Sequence, residues 1–183
     1  MNVITTPFRD LLVLEPKLFQ DDRGHFFESY NERTFRELGL NFTFVQDNQS
    51  LSRKGVLRGL HFQAPPHAQT KLVRVLRGVV QDVVVDLRKA EPTFGRHFSI
   101  ELSAENREQL VVPRGFAHGF LVLSDTAGVL YKSDAFYNPA AERGIRYDDP
   151  ALGINWMVGD MVHMSVKDQV NPLFSESIKD LSF

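Results

Sequence analysis

At 183 residues, 43% of them hydrophobic, the chain is long enough to bury a sizeable core without staples and reads as one domain over residues 1–183. The absence of cysteine excludes a disulfide framework and a thiolate metal site, and a net charge of −2 excludes the chain as a whole as an electrostatic partner of nucleic acid. MNVITTPFRD carries no apolar leader and no run approaches the roughly 18 apolar residues of a membrane span, so a cytoplasmic protein without membrane contact is expected.

Taken in order, Leu11–Leu14 reads as a first strand closed by Glu15-Pro16. Asp21-Asp22-Arg23-Gly24 is a turn, and His25–Tyr30 follows as a strand. Asn31 caps a short helix, Glu32–Leu38, that Gly39 ends. Phe42–Asn48 alternates imperfectly as another strand. The stretch Gly55–Gly78 then runs from strand Val56–Phe62 through a Pro65-Pro66 turn into strand Lys71–Arg77. Arg58, His61, Lys71, Arg74 and Arg77 lie among its apolar residues, and a charge buried in a strand is costly without a partner. A small anionic ligand in the mouth of a β-barrel would supply one.

Val79–Leu87 is valine-rich and suits burial on both faces. Pro92 and Gly95 turn the chain into His97–Leu102, and Gln109–Val112, Ala117–Leu123 and Gly128–Ser133 continue the short strands. Pro139–Asp149 reads as a polar loop and the tail from Pro172 as a short helix. Fifteen phenylalanines fit a thick aromatic-lined core. Strands at intervals of about 8–12 residues, little helix and no internal repeat argue for an all-β barrel or jelly roll with short peripheral helices.

Gly55-x5-His61-x-Gln63, Lys71-x6-Gly78 and Pro113-x-Gly115-x-x-His118 have the skeleton of the two cupin motifs. A metal-binding cupin offers His-x-His, a glutamate and a final histidine at these points. Here Gln63 stands in place of the second histidine and Lys71 in place of the glutamate, which leaves His61 and His118. An ammonium has no lone pair to give and repels a divalent cation, so the expected site is cationic, with no metal and no cofactor.

Each candidate has a plain structural reading. A lone strand histidine is more often a core residue satisfied by a carbonyl, Lys71 can snorkel, Arg23, Arg58 and Arg74 can be solvated, and Tyr131 can be a core aromatic. Their convergence in one barrel-like pattern favours a site. Strict alternation puts Arg58 and His61 on opposite faces of one strand, so both reach a single pocket only if Gly59 marks a bulge or bend. The set suits chemistry beside a carbonyl, with His61 as base, Tyr131 as acid and Lys71 stabilising an enolate oxygen. Asp168 would hold the histidine's other nitrogen and arginines a phosphate tail. From the residues alone the chain is a metal-free, anion-binding β-barrel that acid–base catalysis would suit.

The segments Asp21–Asn31, Phe44–Ser52, Gly55–Gln63, Gln69–Arg88, Val112–Phe120, Tyr131–Pro150 and Ser165–Gln169 resemble, in order and over nearly the whole chain, the dTDP-4-dehydrorhamnose 3,5-epimerase family. The resemblance implies a metal-free cupin jelly roll that converts dTDP-4-dehydro-6-deoxy-α-D-glucose to dTDP-4-dehydro-β-L-rhamnose, toward dTDP-L-rhamnose and cell-surface polysaccharide. It implies that His61 removes the C3 and C5 protons with Asp168 as its partner. Tyr131 would reprotonate from the opposite face and Lys71 would sit by the ketone oxygen. Arg23, Glu28, Gln46, Asn48, Arg58 and His118, with Glu142 and Lys167, would line the dTDP-sugar site. Of these, Glu28 and Gln46–Asn48 would serve the thymine end, and Arg23 and Arg58 the diphosphate.

The resemblance also implies a homodimer whose N-terminal strand crosses into the partner's sheet, taking Arg23 and Glu28 to the partner's pocket. Alternative readings are a 3-epimerase acting on C3 alone, a ketoisomerase on the same fold, and a non-catalytic nucleotide-sugar-binding cupin. Possession of both His61 and Tyr131 speaks against the binding module; Gln63 and Lys71 speak against a metal-dependent dioxygenase or isomerase. Family members often read Tyr-Tyr where this chain has Phe136-Tyr137, which removes a hydroxyl from the expected pocket wall.

Overall fold

The computed structural model describes residues 1–159, 161–179 and 183. Its elements in order are β1 (Asn2–Thr5), β2 (Leu12–Glu15), β3 (Phe19–Asp21), β4 (Gly24–Phe26), α1 (Glu32–Glu37), β5 (Gln46–Arg53), β6 (Leu57–Gln63), β7 (Lys71–Arg77), β8 (Val79–Asp86), β9 (His97–Ser103), β10 (Gln109–Val112), β11 (Phe116–Val122), β12 (Thr126–Ser133), β13 (Glu142–Gly144), α2 (Val166–Gln169) and α3 (Phe174–Ser177). One sheet runs β1-β2-β10-β7-β12-β5 and the other β13-β6-β11-β8-β9, with neighbouring strands antiparallel throughout. This is the all-β cupin-type jelly roll expected. Among the described residues no helix is long and apolar enough to cross a membrane.

The sheets close on a core in which period-2 alternation selects the inward side chains. Val73 and Val75 of β7, Val80 and Val84 of β8, Leu110 and Val112 of β10, Phe116 and Phe120 of β11 and Val129 of β12 meet there. The intervening β8 residues Val83 and Val85 face a second cluster with Leu57, Leu60, Phe62, Ile145 and Trp156, under the C-terminal segment. Burial on both faces is therefore why β8 reads as a run of valines. A third cluster seats Phe35 of α1 on Leu14, Leu72 and Val111, on the outer face of the six-stranded sheet. Asn31 starts α1 as expected, its side chain accepting from the Arg33 and Thr34 amides at 2.9 and 3.4 Å.

The differences from expectation are local. Phe42 and Phe44 leave the ladder to join Tyr30 and Phe35 in an aromatic group, so the strand begins at Gln46 and runs on to Arg53. His25–Tyr30 is a strand only to Phe26. β13 lies in the segment read as loop, and Gly144, opposite His61, leaves the room that the Asn171 side chain fills, where a Cβ would collide with it. The N-terminal strand β1 pairs with β2 of its own chain; the element free of both sheets is the β3–β4 hairpin. The expected C-terminal helix is α3, and residues 180–182 lie outside the described residues.

Candidate active site

A cavity of about 590 Å³ opens into the barrel, lined from β5, β6, β7, β11, β12, β13 and the segment leading into α2. Its geometry depends first on Gly59. His118 pairs with His61 and Phe120 with Arg58, so β6 spends one more residue than β11 between the two pairs. That bulge brings Arg58 and His61 to the same cavity, as expected. Gly59 has φ +135°, and a Cβ on it would approach Gly119 Cα to 2.5 Å and the His118 carbonyl oxygen to 3.0 Å. Glycine is required at this crossing.

His61 meets a carboxylate from far along the chain: Nε2 lies 2.6 Å from Asp168 Oδ1, 107 residues away. Ser165 caps the short helix that carries Asp168, its Oγ accepting from the Asp168 amide at 3.1 Å. The segment is tied to β6 by bonds from the His163 amide to the Gly55 carbonyl and from the Leu57 amide to the His163 carbonyl, at 2.8 and 2.9 Å. Burial alone would raise the Asp168 pKa. The hydrogen bond and charge of His61, helped by the Gly59 backbone and the Ser165 hydroxyl, outweigh it and hold the carboxyl below its ordinary range. An anionic Asp168 accepts a hydrogen bond from the Nε2 N–H, which leaves the lone pair of the imidazole on Nδ1.

Across the cavity stand Lys71 and Tyr131, on adjacent strands of the other sheet. Burial pushes the Lys71 ammonium down to about 8, against the charges of Asp82 and Glu142, which raise it. Its Nζ lies 5.6 Å from the centroid of the Tyr131 ring. The Tyr131 phenol is raised above its usual range, by burial first; Glu142 adds to the effect and Arg58 opposes it. It holds its proton at neutral pH and can give it away.

At the mouth, Glu142 Oε2 accepts from Lys167 Nζ and from the Tyr137 hydroxyl, each at 2.5 Å. Burial would raise this carboxyl, but Lys167 and Tyr137, and then the charge of His61, hold it low. Arg58 Nε donates to Ser52 Oγ at 3.1 Å. Behind Lys71, His118 Nε2 lies 3.0 and 2.9 Å from the two oxygens of Asp82, and both side chains are buried.

Nine of the expected site residues line the cavity: Asn48, Arg58, His61, Lys71 and His118, and then Tyr131, Glu142, Lys167 and Asp168. Arg23, Glu28 and Gln46 do not. Arg23 projects from the hairpin turn, its side chain 90% exposed and, among the described residues, paired with Asp21 at 2.6 Å. Glu28 accepts from Asn31 and Thr34 at the start of α1. Gln46 sits behind the rim, its Nε2 donating to Asn48 Oδ1 and its Oε1 accepting from the Tyr137 amide, both at 2.9 Å.

Gln63 faces away from the cavity. It accepts from the Asn138 amide at 2.6 Å and donates to the His67 carbonyl at 2.8 Å, which ties two loops together. Phe136 is 70% exposed and outside the cavity lining, which corrects the expectation that it forms part of the pocket wall. Arg53, His163 and Asp82 were not singled out from sequence. The signal for Asp82 was present: a carboxylate interrupting a run of core valines has to be answered by a partner.

Residues 5–176 match the family described as dTDP-4-dehydrorhamnose 3,5-epimerase. The dTDP-4-dehydrorhamnose 3,5-epimerase of Salmonella typhimurium is 52% identical over 179 residues, covering 97% of this chain and 98% of that protein. The crystal structure of the dTDP-6-deoxy-D-glucose-3,5-epimerase of Legionella pneumophila, in complex with dTDP-4-keto-L-rhamnose, superposes with a TM-score of 0.91. Its identity is 48%, over 94% of this chain and 92% of that one. A 3'-monoepimerase of Streptomyces bikiniensis in complex with dTDP-quinovose shares the fold, with a TM-score of 0.87 at 33% identity over 93% of this chain and 86% of that one.

Proposed function

Because the chain belongs to the dTDP-4-dehydrorhamnose 3,5-epimerase family, we propose that this cavity epimerises dTDP-4-dehydro-6-deoxy-α-D-glucose at C3 and C5 through one base and one acid. The product is dTDP-4-dehydro-β-L-rhamnose, the precursor of dTDP-L-rhamnose. The observation that carries the mechanism is the placement of the two groups. His61 lies on β6 of one sheet and Tyr131 on β12 of the other, so a ring held between them meets a base on one face and an acid on the opposite face.

Both target carbons flank the C4 ketone, so their protons are acidified by it. His61 Nδ1 takes the proton and the C–H electron pair passes into a carbon–carbon double bond with the charge on the C4 oxygen. Asp168 stabilises the imidazolium that forms. The Lys71 ammonium stabilises the enolate oxygen from a buried position, where a fixed charge acts most strongly. The Tyr131 hydroxyl then delivers a proton to the other face, and exchange with solvent restores base and acid. The cycle runs once at each carbon. At the mouth, Arg58 and Lys167 suit the diphosphate, and Asn48 in the cavity lining suits the thymine end.

The 52% identity to a double epimerase against 33% to the monoepimerase favours reaction at both carbons. The test is solvent exchange: incubation of substrate and enzyme in D2O should place deuterium at C3 and C5. Label at C3 alone would make this a monoepimerase, and label at neither would remove the base mechanism.

The positions of Arg23 and Glu28 support a further part of the reading: each cavity is completed by a second copy of the chain. The β3–β4 hairpin pairs with neither sheet, carries Arg23, and exposes Phe19 and Phe26 at 53% and 69%. Exposed aromatic rings beside a cation suit insertion beside a partner's nucleotide site. The proposed dimer exchanges this hairpin, while β1 stays in its own sheet.

A further inference from the structure

Asp82 lies between Val80 and Val84 on the inward face of β8, in the middle of the barrel core, and none of its surface reaches solvent. Its side-chain partner among the described residues is the imidazole of His118. A carboxylate in a valine core destabilises the fold unless a charge answers it. The facing strand β7 brings Lys71 into the same interior, two residues from Val73 and with its side chain on the same side. Among the described residues no ion pair within 4 Å joins Asp82 and Lys71, yet the carboxylate's charge acts on the ammonium across the interior.

The remaining charges around Lys71 are already committed. Of the carboxylates, Glu142 on β13 takes Lys167 and Tyr137 at the mouth, and Asp168 on α2 takes His61. Of the cations, Arg58 on β6 and Lys167 on α2 line the same cavity, with Arg53 on β5, and oppose a further positive charge. The titratable rings are His61 on β6, His118 on β11 and Tyr131 on β12, with His163 ahead of α2. Asp82 is the one of these carboxylates wholly shielded from water.

We propose that Asp82 is a positioning residue for the epimerisation: it is the standing counter-charge that keeps Lys71 an ammonium before the enolate exists. At the start of each half-reaction the substrate offers a neutral ketone, and an amine desolvated beside it sheds its proton unless an anion is already in place. Once the enolate forms, the negative charge faces Lys71 from the sugar side, and Asp82 has only to hold His118. The proposal rests on Lys71 being the group beside the ketone oxygen.

The experiment titrates Lys71 directly, by NMR of protein carrying 13C at the lysine ε-carbons. The Lys71 signal is assigned by its loss in Lys71→Met. In the wild type it should titrate near 8, and in Asp82→Asn about one unit lower, which at pH 7.5–8 means a loss in kcat of about 3- to 6-fold. KM should stay within about threefold, since Asp82 does not contact the sugar, and lowering the pH should restore most of the rate. An unmoved Lys71 titration overturns the proposal. A titration that moves while the alkaline limb of kcat stays in place removes Lys71 from the reaction, and overturns it at its other premise. Should Asp82→Asn fail to fold, Asp82→Glu and Asp82→Gln share one shape and differ in charge. Only Gln should lower the Lys71 titration, and equal titrations in the two overturn the proposal.

Discussion

Lys71 has been pushed by burial to a pKa of about 8, against roughly 10.4 in an unfolded chain, and that displacement sets the sign of its effect on stability. Between the two values the unfolded state binds more protons, so stability rises with pH through the window, and below about 8 the full cost of the buried ammonium is present. Lys71→Met should therefore melt above the wild type at pH 7, with the gap closing toward pH 10, while turnover is lost. Calorimetry at both pH values checks this, and a variant that melts lower at pH 7 contradicts it. At His61 and Tyr131 the expected outcomes separate base from acid. His61→Asn should stop C3 and C5 exchange together with turnover. Tyr131→Phe should keep some exchange but block inversion, because the proton then returns only to the face it left. General acid–base groups contribute about 10²- to 10⁴-fold, and losses of that order are expected. Normal epimerisation by Tyr131→Phe would make Tyr137, bonded to Glu142 at the rim, the next acid to examine.

At the scale of the element, β6 works because one residue breaks its alternation. Gly59→Ala would place a Cβ against the Gly119 backbone at a φ that L residues rarely adopt, and should cost on the order of 3 kcal/mol. Gly153→Ala, also at positive φ but with open space around it, should cost about 1 kcal/mol. Urea melts of the pair check the contrast, and equal losses would show that the close approach at Gly59 does not matter. The elements differ in what sequence can disclose. Lys71–Arg77 and Gln109–Val112 were legible to the residue, because Gly78 or Pro113 follows each and a short run rich in valine and leucine fills it. β1, β3 and β13 have three or four residues each, too few for a period to register. Phe42 and Phe44 looked like strand residues because nothing local distinguishes an aromatic in a ladder from one in a side cluster. Arg58, His61, Lys71 and Tyr131 stood out as polar groups in apolar strands. Asp82 was absorbed into a valine run, and the pairing of His61 with Asp168 follows no local pattern at 107 residues' separation.

At the scale of the whole molecule the open question is how many chains make one site. If the hairpin carrying Arg23 completes the partner's cavity, homodimers of Arg23→Ala and of His61→Ala should each be nearly inactive. Unfolded and refolded together at equal concentration, they should form mixed dimers with one doubly damaged site and one intact site. Activity should return to roughly a quarter of the wild-type value under random pairing. Mixed dimers that form and remain inactive would show that each site belongs to a single chain.

The reach of Asp168 back to His61 also has a consequence in time. All thirteen strands among the described residues have been made by Gly144, yet Asp168, the carboxylate proposed to orient the base, is about two dozen residues further on. At roughly 5–20 residues per second, synthesis of that remainder takes about 1–5 s. During that interval a nascent chain can close its barrel around an imidazole whose tautomer nothing holds. Ribosome-bound chains stalled with residues 1–144 outside the exit tunnel should resist protease over the strands and exchange no substrate protons; released chains, free to pair, should exchange them. On this reading the barrel precedes its chemistry, and the last fifth of the chain supplies the group that completes it.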